Sequence, residues 1–203
     1  MKKTILIISL ILIHSCSAKI KAQRLSVSEG DKKAMSITDA WLLTDSKNAI
    51  TEIMNQIKNH KGYQAYLGKF NGKQPKIFIA EIQNNTSEAY FPIQDLNDEL
   101  LNEISFSGEY ILIDAAARDL ILKEIKYQND GMIASEDIKQ IGKASGADLI
   151  IIGNVNMKPQ FSEGETIKEY SVNIRMTDIE KGIEVLRTRF RTTKYSKRSN
   201  YTW

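Results

Sequence analysis

The chain has 203 residues, with 28 Lys and Arg against 25 Asp and Glu, for a formal net charge of +3. That is room for one domain with a real hydrophobic core, and so balanced a charge makes no case for a nucleic-acid partner. The single cysteine excludes an intrachain disulfide.

In chain order, Met1-Lys2-Lys3-Thr4 is followed by an apolar run from Ile5 to Ile13 and then by His14-Ser15-Cys16. A bilayer core of about 30 Å needs roughly 20 apolar residues in a helix. The run is too short to span, but it has the form of a secretory h-region. A small residue before cysteine completes a lipobox. Residues 1–15 are therefore expected to be a lipoprotein signal peptide, with diacylglycerol attached to the Cys16 sulfur after cleavage. Several acyl chains anchor firmly, at about 0.8 kcal/mol per buried methylene. Serine instead of aspartate at position 17 favours the outer membrane, with the domain facing the periplasm. Removal of Lys2 and Lys3 with the leader brings the chain closer to neutral.

Residues 16–37 read as the lipidated cysteine and a flexible tether, because polar and basic residues dominate and no period persists. About 20 residues reach roughly 65 Å when fully extended and average roughly 25 Å as a coil. Lys19, Lys21 and Arg24 could touch anionic headgroups or simply be solvated.

A helix is predicted from Thr44, capped by Thr44 or Asp45, with Ile50, Ile53, Met54 and Ile57 on one face and Gly62 at its end. Tyr63 to Gln74 reads as a soft segment. Lys76 to Gln83 is a strand apolar on both faces, so a central one. Ile93 to Ser105 places Ile93, Leu96, Leu100 and Ile104 on one helical face, and Gly108 closes it. Tyr110 to Asp114 is a short strand. Helices are expected from Asp114 to Asn129, and from Ser135 until Gly146 stops it. Asp148 to Met157 is a second central strand, ended by Pro159, and a turn follows at Ser162-Glu163-Gly164. Tyr170, Val172, Ile174 and Met176 alternate with polar residues, and Ile183 to Thr193 returns antiparallel. The expected fold is α/β (α+β). A single mixed sheet of about five strands is flanked by about four helices and ends in an antiparallel meander.

The residue types that catalysis needs are scarce. After leader removal His60 is the remaining histidine, most simply a surface residue at a helix end. One histidine without a free thiol leaves a His/Cys zinc site out of reach. There is neither a Gly-x-Ser-x-Gly elbow nor a Ser-x-x-Lys motif. Gly62 to Lys69 fails as a phosphate loop, because five residues separate the glycines and Phe70 stands where Ser or Thr must hold magnesium. No metal, cofactor or enzymatic activity is expected.

One surface stands out. Arg187, Arg189 and Arg191 share a face of the last strand, opposite Leu186, Thr188, Phe190 and Thr192. Lys194, Lys197 and Arg198 continue the charge, and residues 196–203 read as a basic tail. The bland account is an edge strand guarded by its charges. The sharper one is a docking surface for an acidic protein partner or an anionic cell-wall polymer.

Four segments together resemble one family. They are Asp39 to Ser46, Pro75 to Thr86, Gly142 to Gly153, and Tyr170 to Gly182. In order and spacing they look like the LpoB-type penicillin-binding-protein activator lipoproteins, over residues 38–195. The resemblance implies a TolB-N-terminal-like α/β domain and a non-catalytic outer-membrane lipoprotein. Such a protein docks on a bifunctional peptidoglycan synthase (a penicillin-binding protein) and stimulates cell-wall synthesis. The alternative is an accessory lipoprotein of a periplasmic secretion or assembly complex with a CsgG-like domain. The tether here is short and free of proline, unlike the long Pro-rich linker of the familiar enteric member.

Overall fold

The computed structural model describes residues 24–113 and 146–198. The expected leader, Cys16, the helices expected from Asp114 and Ser135, and residues 199–203 lie outside the described residues. Among the described residues the order is α1 (Val27–Ile37), α2 (Leu43–Asn59), α3 (Lys61–Leu67) with a 3-10 turn (Gly68–Phe70), β1 (Lys76–Asn85), α4 (Ile93–Ser107) and β2 (Ile111–Leu112). Then follow β3 (Leu149–Ser162), β4 (Glu165–Asp178) and β5 (Ile183–Lys197).

The five strands form one sheet in the order β2-β1-β3-β4-β5. β1 is parallel to both neighbours, whereas β3, β4 and β5 form an antiparallel meander. This is the mixed α/β sheet expected from sequence. β1 is internal because both its faces are apolar. Ile77 and Ile79 pack under the helices, while Phe78 and Ala80 join a second buried cluster on the opposite face. A bulge between Ile79 and Ile82 then shifts the phase by one residue, so that Ile82 regains the helix-packed face. The bulge has its own support. Asn97 of α4 accepts from the Ile82 N–H at 2.7 Å and donates to the Ile93 carbonyl at 3.0 Å.

Helices α2, α3 and α4 cover one face. Ile50, Ile53 and Ile57 of α2, Tyr63 of α3, and Leu96, Leu100 and Ile104 of α4 are buried against the sheet. Full burial of such aliphatic side chains stabilises by about 1.5–3 kcal/mol each. Gly153 lets β1, β3 and β4 meet closely, since a Cβ there would lie 2.5 Å from Ile174 Cδ1 and 3.0 Å from the Asn173 carbonyl oxygen.

Several boundaries differ from expectation, each for a local reason. Residues 27–37 of the expected structureless tether form α1, closed by a capping box in which Ser26 Oγ accepts from the Glu29 N–H and Glu29 accepts from the Ser26 N–H. No α1 residue is buried, so no periodicity announced it. Helix α2 begins at Leu43, because the Asp45 carboxylate reaches back to the Leu42 N–H at 2.7 Å. It ends at Asn59 instead of Gly62. His60 Nδ1 then accepts from the Tyr63 N–H at 2.9 Å and starts α3 in the segment expected to be soft. Strand β3 runs through Pro159 to Ser162. Pairing with β1 stops at Asn156, so Pro159 lies where β3 is an edge on that side, and a missing N–H is tolerated there. The Glu163-Gly164 turn has φ of 44° and 81°, the positive pair of a tight two-residue hairpin. β5 runs to Lys197, so the first residues of the expected basic tail belong to the sheet.

Candidate functional site

Strand β5 is the edge of the sheet, and its alternation divides it as expected. Leu186 and Thr188 are buried on the helix side, while Arg187, Arg189 and Arg191 are exposed on the other. The register extends each arginine into a row across the meander. Arg187 stands beside Arg175 and Ile152. Arg189 stands beside Asn173 and Asn154, and Arg191 beside Ser171 and Asn156. Beyond them Thr193 pairs with Glu169, which pairs with Lys158, and Tyr195 pairs with Ile167, which pairs with Gln160.

The three arginines are not equivalent. Arg187 is bound by Glu184 through Nε at 2.8 Å and a second nitrogen at 2.5 Å. The hydrogen bonds of Arg187 hold the Glu184 carboxyl below its ordinary range, against a smaller opposing effect of burial. Arg189 donates from Nε to Asn173 Oδ1 at 2.6 Å, a neutral partner that leaves its charge uncompensated. Arg191 has no ion-pair partner among the described residues. Lys194 and Lys197 are committed instead, to Asp45 at 2.5 Å and Glu165 at 2.9 Å. Of the three β5 arginines, Arg189 and Arg191 therefore keep their charge available, while Arg175 of β4 lies beside Arg187 and also acts on Glu184.

Beside these two residues lies a groove of about 720 Å³, open to solvent, over β3, β4, β5 and the end of β1. Its floor is polar. Asn156 Nδ2 donates to Asn154 Oδ1 at 2.9 Å, and Asn173 Nδ2 donates to the same oxygen at 3.0 Å. Arg189 completes the chain through Asn173. The sequence reading missed this asparagine ladder. The signal was Asn154-x-Asn156 within an otherwise apolar strand, and Asn173 within a β-branched one.

A second polar cluster anchors the approach to the domain. Asp39 accepts from Ser196 Oγ at 2.5 Å and from Lys168 at 3.0 Å, and Lys168 also meets Glu88 at 2.8 Å. The Ser196 hydrogen bond is the main reason the Asp39 carboxyl lies below its ordinary range; burial opposes it and Lys168 adds to it. Trp41 follows, buried between Phe91 and Tyr170 at ring distances of 5.3 and 5.2 Å, with Nε1 donating to Ser46 Oγ at 2.8 Å. The motif from Asp39 to Ser46 is thus a structural clasp between the chain leading into α2 and the far end of the meander.

His60 is the link between α2 and α3 and approaches no cluster of reactive groups. Among the described residues no group of three His, Cys, Asp or Glu could hold a metal ion, and no helix is long and apolar enough to cross a membrane. The arrangement offers surface for recognition: the Arg189 and Arg191 guanidinium groups of β5 beside fixed amides.

The sequence profile of a family described as peptidoglycan-synthase activator LpoB matches residues 45–188, more than half of the chain. No curated protein matches in sequence. Among solved structures, the LpoB C-terminal domain from Escherichia coli is 11% identical, with a TM-score of 0.46, covering 73% of this chain and 98% of that one. The LpoB C-terminal domain from Salmonella enterica is 10% identical, with a TM-score of 0.43, covering 64% of this chain and 93% of that one. The lipoprotein GNA1162 from Neisseria meningitidis is 14% identical, with a TM-score of 0.40, covering 63% and 88%. These structural likenesses are distant, and the family assignment rests on the sequence profile.

Proposed function

Because the chain belongs to the LpoB family of peptidoglycan-synthase activators, we propose that it is an outer-membrane lipoprotein, anchored through Cys16, that binds and activates a bifunctional peptidoglycan synthase in the periplasm. The family match over residues 45–188 carries this reading. The clasp at Asp39, Lys168 and Ser196 fits a tethered protein, since it gives the segment arriving from the anchor a defined point of attachment.

The docking surface in this reading is the outward side of β5 around Arg189 and Arg191. Uncompensated guanidinium groups suit carboxylates of an acidic partner, in pairs that are short and geometrically specific. Activation then needs no chemistry from this chain. A ligand that binds the active conformation of an enzyme more tightly than the inactive one shifts its equilibrium by that difference, tenfold for about 1.4 kcal/mol.

The test adds the full chain to a bifunctional synthase and follows glycan polymerisation. Stimulation by the wild type is expected, with its loss in the double reversal Arg189→Glu and Arg191→Glu while circular dichroism stays unchanged. Stimulation that survives the reversal places docking elsewhere. Absence of stimulation by the wild type rejects the activator reading.

A further inference from the structure

We propose that the asparagine-floored groove is itself a ligand site, and that it takes a carboxylated N-acetyl amino-sugar glycan. In naming the cell-wall strand as that glycan, the proposal rests on the synthase-activator reading. The case for a site does not.

Asparagine is disfavoured in strands, and central strands favour β-branched and aromatic side chains. Yet Asn154, Asn156 and Asn173 lie side by side on β3 and β4, with Asn85 at the β1 end of the same row as Asn156. A local choice that opposes its element marks a place where something other than folding sets the residue. Buried polar networks earn such positions by specifying a core, but Asn85, Asn156 and Asn173 line an open groove, and Asn154 holds two of them from behind.

The ladder fixes the amides without exhausting them. Asn154 Oδ1 accepts two bonds and Asn173 Oδ1 accepts one, so the orientation of each amide is set. Of the groups that line the groove, the Asn156 oxygen, the Asn85 amide and the Ser171 hydroxyl have no hydrogen-bond partner among the described residues. Preorganised groups that donate and accept within a few ångströms match the hydroxyl and acetamido groups of an amino sugar. Arg191, on the same row as Asn156 and Ser171, supplies the bidentate partner for a carboxylate. Glu169, the carboxylate among the lining residues, stands opposite Lys158 in register, so the groove keeps a positive balance. Tyr195, 56% exposed, lies on the same face beyond Thr193 and offers a ring for the apolar face of a sugar.

This composition separates the glycan from other anions. A nucleic-acid backbone asks for a cation at each phosphate, and the floor is made of neutral amides. A protein that docks on the rim through Arg189 and Arg191 leaves the floor unaccounted for, since a peptide seated in the groove needs apolar pockets at the centre and the floor there is Asn156, Asn173 and Ser171.

The test titrates the full chain, with no synthase present, with a peptide-free tetrasaccharide of alternating N-acetylglucosamine and N-acetylmuramic acid. Binding is read by calorimetry and by amide shifts of β3 to β5. Uncharged chitotetraose and a polyglutamate peptide are the comparison probes. The carboxylated sugar is expected to bind at concentrations up to about 1 mM and chitotetraose several-fold more weakly. Asn154→Ala with Asn156→Ala should weaken both sugars about tenfold, whereas Arg191→Gln should weaken the carboxylated sugar alone. Ser171→Tyr, which fills the groove and leaves the ladder in place, should block both even where the asparagine variants unfold. Absence of sugar binding, or polyglutamate binding as tightly as the sugar, overturns the proposal. A chain that stimulates the synthase but binds no sugar fails here alone. One that binds sugar without stimulating fails only as an activator.

Discussion

Asp178 shows how single polar residues hold this fold. It lies fully buried at the end of β4, where Lys69 donates to it at 2.6 Å, Tyr66 at 2.7 Å and the Lys181 N–H at 2.9 Å. Burial pushes its pKa up, but the hydrogen bonds from Lys69, Lys181 and Tyr66 outweigh it and leave the group below its ordinary value of 3.8. A depressed carboxyl stabilises fully above the unfolded value, and that stability is lost as pH falls through the folded one. The urea midpoint should therefore hold from neutral pH to about 5 and fall below the ordinary carboxylate range. Asp178→Asn should destabilise by about 1–3 kcal/mol at pH 7 and flatten part of the acid drop. An equal acid drop in the variant assigns the titration to other carboxyls, of which Asp39 is also depressed. Asn97 is a second case, its amide supplying the partner that the bulge at Ile82 leaves without a ladder bond. Neither role was legible in the sequence. Asp178 depends on Tyr66 and Lys69, more than a hundred residues earlier, and Asn97 on a bulge in β1 that only strand pairing creates.

At the scale of elements, legibility followed burial. Helices α2 and α4 and strands β1, β3, β4 and β5 each bury one or two faces, and burial writes a period of 3.6 or 2 into the residues. Helix α1 buries nothing and escaped notice, and α3 is a short helix placed by buried Tyr63 and by His60. Strand β5 adds a further point. Its outer edge is guarded at Arg189, where Gln56 of α2 donates to the backbone carbonyl at 3.0 Å and accepts from the N–H at 3.1 Å. An unguarded edge pairs with other chains. Gln56→Ala should destabilise by about 0.5–1.5 kcal/mol and raise self-association in sedimentation equilibrium. A variant that remains as monomeric as the wild type would show that the arginines protect the edge without help from Gln56.

For the whole molecule, the helices that carry the core begin at α2, and Trp41 is the first buried core residue among those described. A chain beginning at Thr38 should unfold within about 0.5 kcal/mol of the full chain, the usual range for changes away from packed features. A larger loss in the denaturation midpoint would mean that α1 packs on the domain. If it does not, then under the proposed lipid-anchored reading α1 shortens the reach of the segment before the domain, because a helix advances about 1.5 Å per residue against about 3.3 Å for extended chain. An activator anchored at one membrane and working on an enzyme at the other is sensitive to that difference.

Residue order alone determined the family, the mixed sheet and the arginine face of β5, since alternation, glycine turns and motif spacing are local properties of a chain. Tertiary structure decided which arginines are available. Glu184 neutralises Arg187, whereas cross-strand register leaves Arg189 on a neutral amide and Arg191 beside Ser171. It also brought Asn85 and Asn173 beside the Asn154-x-Asn156 pair of β3, which happens only when β1, β3 and β4 pair. A pattern within one strand can be read from its residues. A pattern across strands exists only once hydrogen bonding has set the register.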